Sequence, residues 1–262
     1  NDLKKDIDAL ESLKQNLEKF AKELDNETKI PRNQKSKDEK LQSLIEEITK
    51  KRVSGKNGNN QKVVIFTVFK DTAFYLFDQL KKRGFKDMAV VSGDASKIDT
   101  EEKDTKLFEP ILERFAPFTK LFNEKEWDFI PSSDKLSKEK QYEEWLTWLS
   151  ENDAKAYAQV KNPIDILIST DVLSEGQNLQ DCDMVINYDI HWNPVRVIQR
   201  MGRIDRLGSP NKEIFGINYW PSDNINTYLD LKGRIEARMA MMKLAGSDVN
   251  LEFSDSFKEM AS

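Results

Sequence analysis

Lys62-Val63-Val64-Ile65-Phe66-Thr67-Val68-Phe69 is the stretch on which the fold turns. It is a β-branched and aromatic run of strand length, apolar at successive positions, as expected of a parallel strand whose two faces are both covered by helices. Its flanks agree. Gly55-Lys56-Asn57-Gly58-Asn59-Asn60 ahead of it is a Gly/Asn cluster that breaks a helix and marks a loop or boundary. Behind it, Asp71-Thr72 can cap a helix that runs through Arg83 and ends at Gly84. Met88-Ala89-Val90-Val91 then supplies a second strand, closing at Ser92-Gly93-Asp94.

Two further strand-to-helix units are expected, at 164–170 (Ile-Asp-Ile-Leu-Ile-Ser-Thr) and 183–188 (Asp-Met-Val-Ile-Asn-Tyr). A helix follows from about Pro194 to Arg206, a last strand from Lys212 to Tyr219 and a last helix from Asn224 to Leu244. Strands alternating with helices predict an α/β fold with a mostly parallel central sheet between two helical layers. Residues 1–60 read as helices: Leu3, Ile7, Leu10, Leu17 and Phe20 share one face, and Leu41, Leu44, Ile45 and Ile48 another. The expected organisation is a helical linker or brace over 1–60, the α/β domain over 61–245 and a tail over 246–262. Residues 97–163 break the rhythm and read as a helical insertion, with Tyr142, Trp145, Leu146 and Leu149 as the insertion's own packing core.

Composition narrows the function. Of the 262 residues 33% are charged, no apolar run reaches the ~20 residues of a membrane span, and the start of the chain carries no signal-peptide pattern, so membrane and secreted classes are not expected and a cytoplasmic location is. A single Cys and a single His exclude an internal disulfide and a structural zinc site. The net charge of −5 argues on its face against nucleic acid. Its location softens the objection: in 97–163, 15 acidic side chains face 11 basic ones.

Ligands of open parallel sheets bind beyond the carboxyl ends of the strands. Those ends carry Thr67 and Lys70, then Ser92-Gly93, then Ser169-Thr170-Asp171. Hydroxyls and unpaired N–H groups at helix starts suit phosphate, although each is also an ordinary cap. The 194–206 helix is more specific. Gln199, Arg203 and Arg206 stand at i, i+4 and i+7 on one face, and Val197, Met201 and Ile204 repeat that spacing opposite. Paired guanidiniums on a supported helix fit the stabilisation of a transferring phosphoryl group. Gly202 costs about 1 kcal/mol relative to Ala inside a helix, which points to close approach of another backbone. No stretch fits the G-x-x-x-x-G-K-[ST] phosphate loop, and no strand ends in a paired-carboxylate magnesium box.

Taken in order, these motifs resemble the second RecA-like domain of superfamily-two helicases, specifically the Swi/Snf-type translocases. Val63 to Thr72 resembles motif IV, and Ile166 to Gln180, with Ser174-Glu175-Gly176-Gln177-Asn178 at its centre, resembles motif V. Asp189 with Trp192-Asn193-Pro194 matches the D-x-x-W-N-P block, and Gln199 to Gly208 resembles motif VI, Q-x-x-G-R-x-x-R. The versions found here are most like the bacterial RNA polymerase-associated RapA/HepA type.

The resemblance implies a RecA-like three-layer domain acting as the C-terminal half of an ATP-driven nucleic-acid translocase. ATP and magnesium would be held mainly by an N-terminal RecA-like lobe, and this chain alone, lacking the phosphate loop, would be inactive. Arg206 becomes the finger on the γ-phosphate, with Arg203 and Gln199 beside it; Glu175, Gly176, Asn178 and Gly202 would couple the cleft to the nucleic-acid track. Thr67, Lys70, Ser92, Ser169 and Thr170 would touch the DNA or RNA backbone, a sequence-independent contact. Beyond the N-terminal lobe, RNA polymerase or a repair or defence complex is an expected partner. The alternative is a catalytically silent helicase-like interaction module.

Overall fold

The structure, a computed structural model, describes residues 38–93, 95–100, 108–173, 176–190, 194–206 and 208–220, with single positions at 11, 14, 15, 233 and 237. The helices expected around Leu3–Phe20 and Asn224–Leu244, the 246–262 tail, Glu175 and Trp192-Asn193 lie outside the described residues.

Six strands form one sheet: β1 (Val63–Phe66), β2 (Met88–Val91), β3 (Ser96–Ile98), β4 (Ile166–Ser169), β5 (Met184–Asn187) and β6 (Phe215–Asn218). Their order is β3-β2-β4-β1-β5-β6, and every pairing is parallel except that of β2 with β3. Val63 and Ile65 face a layer made by α1 (Glu39–Val53) and α2 (Lys70–Lys82), whereas Val64 and Phe66 face α3 (Glu109–Phe115) and the end of α6 (Pro194–Met201). Burial on both faces is the physical reason that 63–66 lacks alternation, whereas Val68 and Phe69, which the run also included, lie beyond the strand and are exposed. The result is the mostly parallel, three-layer α/β arrangement expected of a RecA-like domain.

The differences from expectation are local. Helix α2 begins two residues earlier than a cap at Asp71 would place it: extended Phe69 precedes it without a side-chain cap, and Asp71 sits in the first turn. Its other end is as expected, with Gly84 at φ +76° and the N–H groups of Gly84 and Phe85 donating to Lys81 and Leu80. After β4 there is only a three-residue 3₁₀ turn, Asp171–Leu173, in place of an immediate helix. Helix α6 stops at Met201, and 202–206 are turns, so the helical face drawn through Gln199, Arg203 and Arg206 does not extend along a continuous helix.

Helix α1 contributes Leu41, Leu44, Ile45 and Ile48 to the main core. It is pinned at both ends to the segment carrying β5: Lys40 Nζ lies 3.0 Å from Asp189 Oδ1, and buried Lys51 Nζ 2.5 Å from buried Asp183 Oδ2. Eleven helical residues rise about 16 Å and six strand residues about 20 Å, so the two pairs can close together when helix and strand run antiparallel. The 97–163 segment also departs from a pure insertion. It begins inside strand β3 and includes α3, whose Ile111, Leu112 and Phe115 belong to the sheet's core. The part with its own core starts at the π-helical turn Phe118–Asn123 and continues through α4 (Lys138–Asn152) and α5 (Ala154–Lys161). Leu121, Trp145, Leu149 and Ala156 are buried there together. Among the described residues no helix is long and apolar enough to cross a membrane.

Candidate functional site

The carboxyl ends of the adjacent strands β4, β1 and β5 converge on one side chain, Arg200. It is completely buried. Its Nη2 donates to Asp171 Oδ1 at 2.5 Å and its Nη1 to Asn187 Oδ1 at 2.8 Å, while the guanidinium lies 5.0 Å from the centre of the Phe66 ring. Asn187 in turn donates to Asn218 Oδ1 at 2.8 Å, extending the network to β6. A buried cation needs paired charge and satisfied donors, and the planar fork of Arg provides both. Sequence reasoning passed over Arg200 although its spacing was visible: 197, 200, 201 and 204 form an i, i+3, i+4, i+7 stripe, which puts it on the inward face.

Beyond this anchor lie the polar groups expected at the site. Gln199 is exposed on α6, Arg203 is half-buried in the following turn, and Arg206 is exposed with Nη1 donating to Asn178 Oδ1. The backbone of Leu179 donates to Arg203 O at 2.9 Å, which ties the 176–180 loop to the arginine turn. Gly176 has φ +80°, a left-handed conformation that L side chains rarely adopt. Gly202 corrects an expectation: a Cβ there would meet only the carbonyls of Ile198 and Gln199, at 3.4 and 3.6 Å, in its own preceding turn. No second backbone approaches it among the described residues.

The expected phosphate contacts divide. Thr67 is buried and donates to Asp189 Oδ2 at 2.5 Å; Ser92 is buried and donates to Ala95 O at 2.9 Å; Ser169 is buried and donates to Thr170 O at 2.7 Å. These three hydroxyls are committed to holding strand ends and turns, because a polar group in a fully covered sheet must find its partner inside. Lys70 is exposed and Thr170 half-exposed. Next to Lys70, Phe69 leaves 65% of its surface open, an aromatic that the sequence placed in the strand run.

Burial shifts two titratable groups in the segment that leads into β5. It pushes the Cys182 thiol up to about 12. It also raises Asp181, against the opposing pull of Lys62 and of hydrogen bonds from Thr119 and the Phe118 backbone. Among the described residues no three His, Cys, Asp or Glu side chains assemble into a metal-binding group. The arrangement therefore presents the Gln199 amide and an arginine turn tied to the 176–180 loop ahead of β5, a donor set that fits polyphosphate oxygens.

Residues 148–208 match the family model described as the helicase conserved C-terminal domain. Over 48 residues the chain is 54% identical to the uncharacterized ATP-dependent helicase YqhH of Bacillus subtilis, covering 18% of this chain and 9% of that protein. Over 74 residues it is 35% identical to the RNA polymerase-associated protein RapA of Vibrio parahaemolyticus, covering 28% of this chain and 8% of that one. The matched stretches thus span under a tenth of either relative. Among solved structures, S. cerevisiae Dbp5 bound to RNA and ADP BeF3 aligns over 84% of this chain and 40% of that one, with a TM-score of 0.41 and 17% identity. The C-terminal part of the Fun30 ATPase domain aligns over 75% and 47%, with a TM-score of 0.39 and 17% identity.

Proposed function

Because residues 148–208 match the model of the helicase conserved C-terminal domain, we propose that this chain is the second motor lobe of an ATP-dependent, nucleic-acid-driven translocase or helicase. The single observation that carries the proposal is the Arg203–Arg206 turn, which follows a helix anchored by buried Arg200 and is tied through Leu179 and Asn178 to the 176–180 loop. Guanidiniums on such a support, exposed at Arg206 and half-buried at Arg203, need little rearrangement to meet a phosphoryl group, and this is where most catalytic stabilisation of phosphoryl transfer arises.

ATP, the substrate, supplies the phosphoryl group, and the nucleotide with its magnesium ion is held mainly by the N-terminal lobe. Arg206 provides the finger, Arg203 the second positive charge and Gln199 an amide at the same edge. Gly176 and Asn178 place the loop that touches the finger. Lys70 and Thr170, with exposed Phe69 next to Lys70 in the chain, serve the nucleic-acid backbone: the lysine neutralises phosphate and the ring offers a stacking face. DNA or RNA is the partner class, and the N-terminal lobe of the motor completes the cleft.

In the full-length protein, Arg206→Ala should bind ATP as the parent does and lose nucleic-acid-stimulated hydrolysis by about 10³-fold or more. Hydrolysis at the parental rate in that variant refutes the assignment.

A further inference from the structure

The π-helical turn Phe118–Asn123 is not a free excursion; it grips the loop that holds the arginine. Asp181 accepts from the backbone N–H groups of Phe118 and Thr119, each at 2.8 Å, and from Thr119 Oγ1 at 2.5 Å. Lys120, buried, donates to Gln177 Oε1 at 2.7 Å and to Glu124 Oε2 at 2.9 Å. The other oxygen of Glu124 accepts from Asn178 Nδ2 at 2.9 Å, and Asn178 Oδ1 accepts from Arg206. Residues 177, 178 and 181 are thus each held by the start of the insertion, and Leu179 between them is held by Arg203.

We propose that Glu124 is a positioning residue for the arginine finger, acting through the side-chain amide of Asn178; the inference rests on the motor-lobe function proposed above. The chemistry is directional. An amide carries a donor end and an acceptor end on one short stem, and a rotation of half a turn exchanges them. Glu124, able only to accept when ionised, selects the rotamer that turns NH₂ to itself and the carbonyl oxygen to Arg206. Lys120 fixes the carboxylate by pairing with its second oxygen. Without Glu124 the amide is free to turn its NH₂ toward the guanidinium, donor against donor, and the finger loses its register. The insertion, which supplies Lys120 and Glu124, thereby sets the position of the arginine from outside the conserved motifs, and π-helical turns recur at such functional points.

The test uses full-length protein with Glu124→Ala, Asn178→Ala, the double variant and Arg206→Ala, assayed for nucleic-acid-stimulated ATP hydrolysis and for melting temperature. Glu124→Ala should lower kcat about tenfold to a hundredfold, as small misplacements of catalytic groups do, with KM for ATP and the melting temperature unchanged. Because the two residues act in series, adding Asn178→Ala to Glu124→Ala should cost almost nothing more. A parental kcat in Glu124→Ala while Arg206→Ala is inactive overturns the inference and leaves the motor function standing. Independent, multiplicative losses from Glu124→Ala and Asn178→Ala overturn it as well. Parental rates in both Glu124→Ala and Arg206→Ala overturn the motor function and the inference together.

Discussion

Arg200 Nη2 stands 2.5 Å from Asp171 Oδ1, an ion pair in which the arginine is wholly buried and the carboxylate partly open. Through it, the turn after β4 and the helix after β5 are held as one piece. Arg200→Ala should destabilise the protein by about 3–5 kcal/mol, the usual effect of breaking a buried charged pair. Arg200→Lys should recover only part of this, because an ammonium cannot fork between Asp171 and Asn187. Arg206→Ala, at an exposed position, should stay within about 0.5 kcal/mol of the parent. Urea unfolding of the three variants checks the order, and equal midpoints for Arg200→Ala and the parent would refute it.

Lys51 and Asp183 make the second buried pair, and Asn57 Nδ2 supports the same carboxylate oxygen at 2.7 Å. Asp183 Oδ1 has no hydrogen-bond partner among the described residues. Lys51→Met should therefore leave a poorly compensated buried carboxylate and cost about 3–5 kcal/mol. Lys51→Met combined with Asp183→Leu should be more stable than Lys51→Met alone, since two apolar groups leave no stranded charge. A double variant that is less stable than the single one would show that the pair contributes more than its desolvation costs.

Trp145 is fully buried in the insertion's own cluster, its indole N–H without an acceptor among the described residues. Trp145→Ala should cost about 3–5 kcal/mol locally, the range for large aromatic truncations. Trp145→Phe should cost much less, because it also removes an unsatisfied donor. Since this cluster is separate from the two that flank the sheet, native-state hydrogen exchange should show protection lost in α4 and α5 and kept in β1 and β4. Loss of protection in the sheet would mean that insertion and domain unfold as one unit.

Cys182 is buried and its thiol is held up to about 12 by desolvation. At pH 8 a thiol reagent should leave it unmodified in the folded protein and modify it fully in denaturant. The sign follows from burial: the neutral thiol is favoured by folding, so its contribution is intact below the ordinary thiol range and fades only as pH rises toward 12. Rapid modification of folded protein at pH 8 would contradict the burial.

Much of this molecule could be read before it was folded. The strands at 62–69, 88–91 and 164–170 were legible because a strand covered on both faces leaves an uninterrupted apolar run, and that pattern is local. Gln199, Arg203 and Arg206 were legible as a polar group, but the single helical face that their spacing implied ends at Met201. Arg200 was passed over because a charge on an inward stripe has meaning only once its partners, Asp171 and Asn187, are known, and they are 29 and 13 positions away. Thr67, Ser92 and Ser169 make the converse case: a hydroxyl at a strand end binds phosphate or closes a turn according to what lies next to it, and only the fold shows that each donates to a partner inside the protein.

Local chemistry determined the α/β alternation, the both-sides-buried strands and the basic character of the turn at 203–206, because each depends on residues within one helix turn or one strand. The tertiary structure alone decided that α1 packs into the core, that β3 and α3 belong to the sheet rather than to the insertion, and that Glu124 meets Asn178 across 54 positions. Those outcomes depend on which surfaces meet when the crossovers close, and the free energy of that meeting is shared among partners distant in the chain.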